Sequence, residues 1–162
     1  MSLSWPLPKN DPWSTPFAEV LLEHLDIFPG ATILDIASGG GIPAFNLAEK
    51  VGSNGKVLAI DIHHSQVLRA RSILNRHLPW LQFEVGDMKD CFNDSFVEQH
   101  GKADVVITDP PRNGMHADVI KQLLKLAPPR IVYISCNSST QARDLELMKE
   151  AYTVLKSQAV DM

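Results

Sequence analysis

Apolar residues occur in short runs separated by amphipathic stretches, and this alternation holds along nearly the whole chain. Ala31 to Ile36, Lys56 to Ile60, Leu81 to Val85, Ala103 to Thr108 and Arg130 to Ser135 read as five short strands, the first of them buried. The stretches between them have helical spacing: Pro43 to Val51, Ser65 to about Asn75 with Val67, Leu68 and Leu74 inward, a weaker Asn93 to Gln99, Met115 to Leu126, and Ser139 to Glu150. Ahead of the first strand, Ser14-Thr15-Pro16 supplies a cap and an early proline. Phe17, Val20, Leu21 and Leu25 give the helix that follows an apolar stripe, and Pro29-Gly30 ends it. Residues 1–13, rich in Pro and Trp, read as an irregular arm, and Tyr152 to Val160 reads as a sixth strand.

Strands alternating with helices of about ten residues predict an α/β fold, a doubly wound and mostly parallel Rossmann-like sheet with helices on both faces. The chain of 162 residues suits one domain. In such sheets ligands bind beyond the carboxyl ends of the strands. Asp35, Asp61, Asp87, Asp109 and Ser135-Cys136-Asn137 end the five strands, so the pattern predicts that they share one rim.

Composition narrows the class. Hydrophobic residues make up 44% and charged residues 21%, an ordinary globular balance. No apolar run approaches a membrane span and no signal segment is visible, so a cytoplasmic protein without membrane contact is expected. The net charge is -4, with six Lys/Arg against eight Asp/Glu in residues 1–86 and nine against eleven in residues 87–162. No basic patch points to strong charge-driven binding of nucleic acid. Cys91 and Cys136 are too few for a disulfide framework and lack zinc-ligand spacing. His63-His64 reads as a solvated turn rather than a metal pair, and Arg69, Arg71 and Arg76 as a solvated helix face. Trp5, Trp13 and Phe17 form either a lid or a packed arm.

Gly39-Gly40-Gly41-Ile42-Pro43-Ala44 fits the dinucleotide fingerprint G-x-G-x-x-(G/A), and Asp61 lies twenty residues beyond Gly41, where it can accept from ribose hydroxyls. NAD and S-adenosylmethionine share that layout. Asp35 separates them: a carboxylate beside the glycines repels a pyrophosphate and attracts a cationic methionine head. Asp87, after the third strand, can accept from an adenine amino group. The cofactor-binding set predicted for S-adenosylmethionine is Asp35, Ala37, Ser38, Gly39, Gly41, Asp61, Ile62, Asp87, Met88, Asp109 and Pro110.

Asp35-x-x-x-Gly39-x-Gly41, Asp61, Gly86-Asp87 and Asp109-Pro110-Pro111 resemble the successive motifs of class I S-adenosylmethionine-dependent methyltransferases. Asp109-Pro110-Pro111-Arg112-x-Gly114, Tyr133-x-Ser135-Cys136-Asn137 and Ala142-Arg143-Asp144-Leu145 resemble the RNA uracil-5-methyltransferase family over residues 87–162. Residues 1–86 look like a more generic methyltransferase, which leaves open a join near Gly86-Asp87-Met88. The resemblance implies that Cys136 adds as a thiolate to carbon 6 of uracil and makes carbon 5 nucleophilic, while Asp109 and Arg112 hold the base and backbone. In that family Pro follows the Cys-Asn pair where this chain has Ser138, and the general-base Glu follows the Val-Asp-Met reached here at Val160-Asp161-Met162. The resemblance also implies an RNA or nucleotide substrate, although no RNA-binding module is visible. With the family's last strand absent, Tyr152 to Val160 is expected either to pair beside the fifth strand or to leave an exposed edge for a homodimer. The same residues allow two alternatives, a non-catalytic cofactor-binding scaffold and an NAD-binding oxidoreductase domain.

Overall fold

The structure, a computed structural model, describes residues 15–74, 78–90 and 93–160. Helix α1 (Thr15–His24) precedes strand β1 (Thr32–Ile36), and α2 (Ile42–Val51), β2 (Lys56–Asp61), α3 (His64–Leu74) and β3 (Leu81–Val85) follow. A single 3-10 turn at Met88–Asp90 leads into α4 (Asp94–His100), then β4 (Val105–Thr108), α5 (Ala117–Leu126), β5 (Arg130–Tyr133) and α6 (Ser138–Met148). All four strand pairings are parallel, in the order β3-β2-β1-β4-β5. The order reverses between β1 and β4, and there the crossovers leave a crevice at the carboxyl ends of the strands.

Two apolar layers sandwich the sheet, because successive strand residues point to opposite faces. Ile33, Val57, Leu81, Val105 and Ile107 pack with Leu21, Leu25, Phe45, Leu47 and Val51. Leu34, Ile36, Leu58, Ile60 and Val106 pack with Val119, Ile120, Leu123 and Met148. Short polar bonds set several boundaries. Asp104 accepts the Thr32 amide at 2.8 Å, so β4 starts after it rather than at Ala103. Ser135 turns onto Asn137, its Oγ accepting the Asn137 amide at 3.0 Å, so β5 ends at Tyr133.

Three expectations change. On α3, Val67 and Ala70 are buried, whereas Leu68 is 47% exposed, one residue round from that face. Arg71 is more than a solvated residue: its Nε donates to the Phe83 carbonyl at 2.7 Å and shields the outer edge of β3. Residues 152–160 form no sixth strand. Gln141 Nε2 already donates to the Tyr133 carbonyl on β5, at 2.9 Å, and Val154 and Leu155 are exposed among polar neighbours with no apolar face to bury. The segment is tied instead by Tyr152, whose hydroxyl donates to the Pro128 carbonyl at 2.9 Å, and by Lys156 against His24. The arm with Trp5 and Trp13, the ring of Phe17, residues 75–77, Cys91 and Asp161-Met162 lie outside the described residues. No helix among the described residues is long and apolar enough to cross a membrane.

Candidate active site

A cavity of about 970 Å³ opens at the crevice between β1 and β4. Of the residues predicted from the sequence, Ala37, Gly39, Asp61, Ile62, Asp87, Met88 and Asp109 line it. Asp35, Ser38, Gly41 and Pro110 are buried behind that lining. Arg112 and Cys136 are exposed at the rim and do not line the cavity.

The wall after β1 is built on unusual backbone. Ala37 has φ 60, Gly39 φ 54 and Gly41 φ 79, three left-handed residues within five positions. Glycine adopts that conformation freely and alanine does not, so Ala37 carries strain at the cavity wall. Gly41 is required for space as well: a Cβ there would sit 2.5 Å from the Phe83 ring. Gly41 is also the N-cap of α2, and no side chain caps this helix end. A Cβ on Gly40 would meet nothing within 4 Å, so the loop top is open.

Three carboxylates, Asp35, Asp61 and Asp109, lie close enough to this loop for Asp35 to feel the charges of the other two. Asp61 is 6% exposed and ties the β1 and β2 loops together. Its two oxygens accept the amides of Gly39 at 2.8 Å and His63 at 2.7 Å. Asp35 pairs in register with Ala59 and Ile107, among apolar neighbours, and its Oδ2 has no hydrogen-bond partner. Burial, with the charges of Asp109 and Asp61 adding to it, pushes the Asp35 carboxyl up to about 7. Partial burial by the cavity walls also raises Asp109. The buried Ser38 hydroxyl likewise lacks a partner. Asp87 accepts the Lys89 amide at 2.9 Å, so it caps the 3-10 turn while facing the cavity.

The opposite wall is held differently. Asp144 is fully buried, and the sequence motif containing it suggested no role. Its Oδ2 accepts the Met115 amide at 2.7 Å and the Tyr133 hydroxyl at 2.6 Å, while its Oδ1 accepts Arg143 Nε at 2.9 Å and Nη2 at 2.6 Å. Burial and the bond to Asp144 push the Tyr133 hydroxyl up, so it stays protonated and donates. Arg143 Nη2 reaches on to the Asn113 carbonyl at 2.8 Å. Asn137 Nδ2 and Thr140 Oγ1 both lie 3.0 Å from the Arg112 carbonyl. The loop at 109–116 is therefore bound through its backbone to the segment that follows Cys136. Residues 137, 140, 143 and 144 share one helical face; their spacing marks that face in the sequence, but not the backbone groups it meets. Among the described residues, no three His, Cys, Asp or Glu side chains gather to hold a metal.

A family model described as a methyltransferase domain matches residues 27–161. An uncharacterized RNA methyltransferase of Porphyromonas gingivalis is 46% identical over 134 residues, covering 80% of this chain and 28% of the relative. One from Clostridium tetani is 32% identical over 143 residues, covering 87% of this chain and 30% of the relative. The chain thus spans less than a third of the length of these two relatives. Each alignment crosses residues 86–88, so single relatives match both halves together and no join is needed there. Among solved structures, a SAM-dependent methyltransferase from Aquifex aeolicus superimposes with TM-score 0.63 at 19% identity, covering 87% of this chain and 82% of that one. Aeropyrum pernix fibrillarin with natively bound S-adenosyl-L-methionine gives TM-score 0.66 at 14% identity, covering 84% and 64%.

Proposed function

The chain belongs to the methyltransferase domain family and has the fold of S-adenosylmethionine-dependent methyltransferases, and from that premise we propose that it methylates carbon 5 of uracil in RNA with Cys136 as nucleophile. The cofactor is S-adenosylmethionine, and the residues present fit it. The carboxylate of Asp35, its Oδ2 partnerless just behind the lining, favours a cation on that side of the cavity, and the uncapped start of α2 favours an anion, together matching an amino-acid head. A pyrophosphate could use the start of α2, but its charge would be set against Asp35, Asp61 and Asp109. Asp61 and Asp87 are disposed for the ribose and the adenine, and Ile62 lends an exposed apolar surface. When bound, the cofactor supplies a methyl group on a sulfonium, an electrophile that a nucleophile on the acceptor can attack.

The observation that carries the uracil reading is the tether between the Cys136 segment and the Arg112 carbonyl. It ties the residues that follow the free, exposed Cys136 to the loop that carries Asp109 into the cavity. Uracil carbon 5 is a poor nucleophile. A Cys136 thiolate adding to carbon 6 would form the S–C6 bond and move the ring π electrons toward carbon 5, which could then take the methyl as its bond to the sulfonium sulfur breaks and the electron pair stays on that sulfur. A base removes the carbon 5 proton, the ring double bond re-forms, and the thiolate leaves. The relatives named RNA methyltransferases support RNA as the acceptor.

The test is to incubate the 162-residue chain with S-adenosylmethionine and an RNA oligonucleotide carrying 5-fluorouridine. Fluorine at carbon 5 leaves no proton to remove, so the S–C6 adduct persists. We expect a covalent complex that survives denaturing electrophoresis with the wild type and disappears with Cys136→Ala. A wild type that traps no RNA, or a Cys136→Ala variant that still traps it, overturns the reading.

A further inference from the structure

The geometry points to Tyr133, Thr140, Arg143 and Asp144 as positioning residues that hold the 109–116 loop in register with Cys136, an inference that rests on the uracil reading above. The loop is a tight turn, with the Gly114 amide donating to the Pro111 carbonyl at 2.8 Å. Its backbone is gripped at three successive places by side chains from one segment. Asn137 Nδ2 donates to the Arg112 carbonyl, and the Thr140 hydroxyl shares its proton between that carbonyl and the Asn137 carbonyl, 3.1 Å away. Arg143 donates to the Asn113 carbonyl, and Asp144 accepts the Met115 amide. The fit is close enough to exclude any side chain at Gly114. A Cβ there would lie 2.5 Å from Asp144 Oδ2 and 2.6 Å from Arg143 Nη2, on a residue with φ +77.

Asp144 is the centre of the device. Four donors fill its two oxygens, so the buried charge is fully compensated and has no acceptor capacity to spare for a ligand. Tyr133 stands at the end of β5, three residues before Cys136, and Asp144 stands on α6, eight residues after it. The Tyr133–Asp144 bond therefore closes the strand–turn–helix unit that carries the thiol. The Asp144–Met115 bond then joins that unit to the loop carrying Asp109 and Arg112. A nucleophile and the groups that hold its target must agree to within a fraction of an ångström, and this cluster couples them through backbone atoms.

The experiment compares Tyr133→Phe, Thr140→Val, Thr140→Ser and Asp144→Asn in the 162-residue chain. Three quantities are read: melting temperature, S-adenosylmethionine affinity by titration calorimetry, and the first-order rate of adduct formation on saturating 5-fluorouridine RNA. We expect cofactor affinity within about twofold of wild type, and adduct formation slowed about 100-fold by Asp144→Asn and about tenfold by Tyr133→Phe, the scale of a misplaced reacting group. Thr140→Val should slow it about threefold and Thr140→Ser should restore it, since only the hydroxyl differs in function. Because Asp144→Asn is open to the objection of misfolding, the Tyr133 and Thr140 variants decide the matter. Unchanged adduct rates in both, or rates and cofactor affinity falling together with the folded fraction, overturn the proposal. If the wild type itself traps no RNA, the uracil reading falls. The clamp is then judged by hydrogen exchange at the Met115 amide: faster exchange in Tyr133→Phe supports it, and unchanged exchange overturns it.

Discussion

The two walls of the cavity are finished to different degrees. The β1 wall leaves Asp35 Oδ2 and Ser38 Oγ without partners, leaves α2 uncapped and holds Ala37 in a strained conformation. On the β4 wall, Asp144 takes four donors and the loop backbone is pinned at Arg112, Asn113 and Met115. Asp61 on the first wall and Asp144 on the second are bonded by the protein itself, but Asp35 keeps an oxygen without a partner. Unmade bonds in a buried site cost stability until a ligand makes them, whereas a saturated site adds rigidity and offers a ligand nothing new. The first wall is thus built to bind a small charged molecule, and the second to keep a shape.

Four variants break or sharpen this contrast. Asp144→Ala should destabilise the fold by about 4 kcal/mol, because it leaves the Met115 amide, the Tyr133 hydroxyl and Arg143 Nε without their acceptor; urea denaturation checks this. Gly41→Ala should cost about 3 kcal/mol by the same measurement, since its Cβ meets the Phe83 ring in a left-handed conformation.

Asp35→Asn should act in the opposite sense to Asp144→Ala. It should weaken S-adenosylmethionine binding by about 30-fold in calorimetry, the worth of a charged hydrogen bond, yet raise the melting temperature of the ligand-free chain. The sign follows from proton linkage. The Asp35 carboxyl lies at about 7 in the folded chain against an ordinary 3.8, so the folded state binds more protons between those values. Stability therefore falls as pH rises from about 4 to about 7, and the gain from Asp35→Asn should be larger at pH 8 than at pH 5. Cofactor affinity should rise through the same interval as Asp35 ionises. The smallest effect is expected of Ala37→Gly. Relief of the left-handed strain should stabilise by at most about 1 kcal/mol, read as a small upward shift of the urea midpoint.

Much of this was legible in the chain. Strand–helix alternation gave the element order, because β1, β2 and β4 are apolar enough to be buried on both faces, while the edge strand β3 turns Leu81 and Phe83 inward and Gln82 outward. The positions of Asp61, Asp87 and Asp109 followed, since polar residues that end parallel strands must share a rim, whereas Asp35, still inside β1, is buried behind it. The Asp144 cluster was not legible, although its residues stood in a recognised motif. It depends on one face of α6 meeting the backbone of a loop some thirty residues earlier, and backbone acceptors leave no mark on a sequence. The expected sixth strand failed for a related reason. Tyr152 to Val160 suggested a strand, but the outer edge of β5 already receives the Gln141 side chain. Leu68 was misplaced by one position on α3, where Val67 and Ala70 define the buried face.

The pairing of β1 with β4 also sets a timetable for assembly. These adjacent central strands lie some seventy residues apart in the chain, bridged at their start by the Asp104–Thr32 bond. A growing polypeptide can complete α2, β2, α3 and β3 while the far side of the crevice has yet to be made. The cofactor's binding energy therefore becomes available only after the long loop between β1 and β4 has closed, and it can stabilise the finished sheet but cannot guide its beginning.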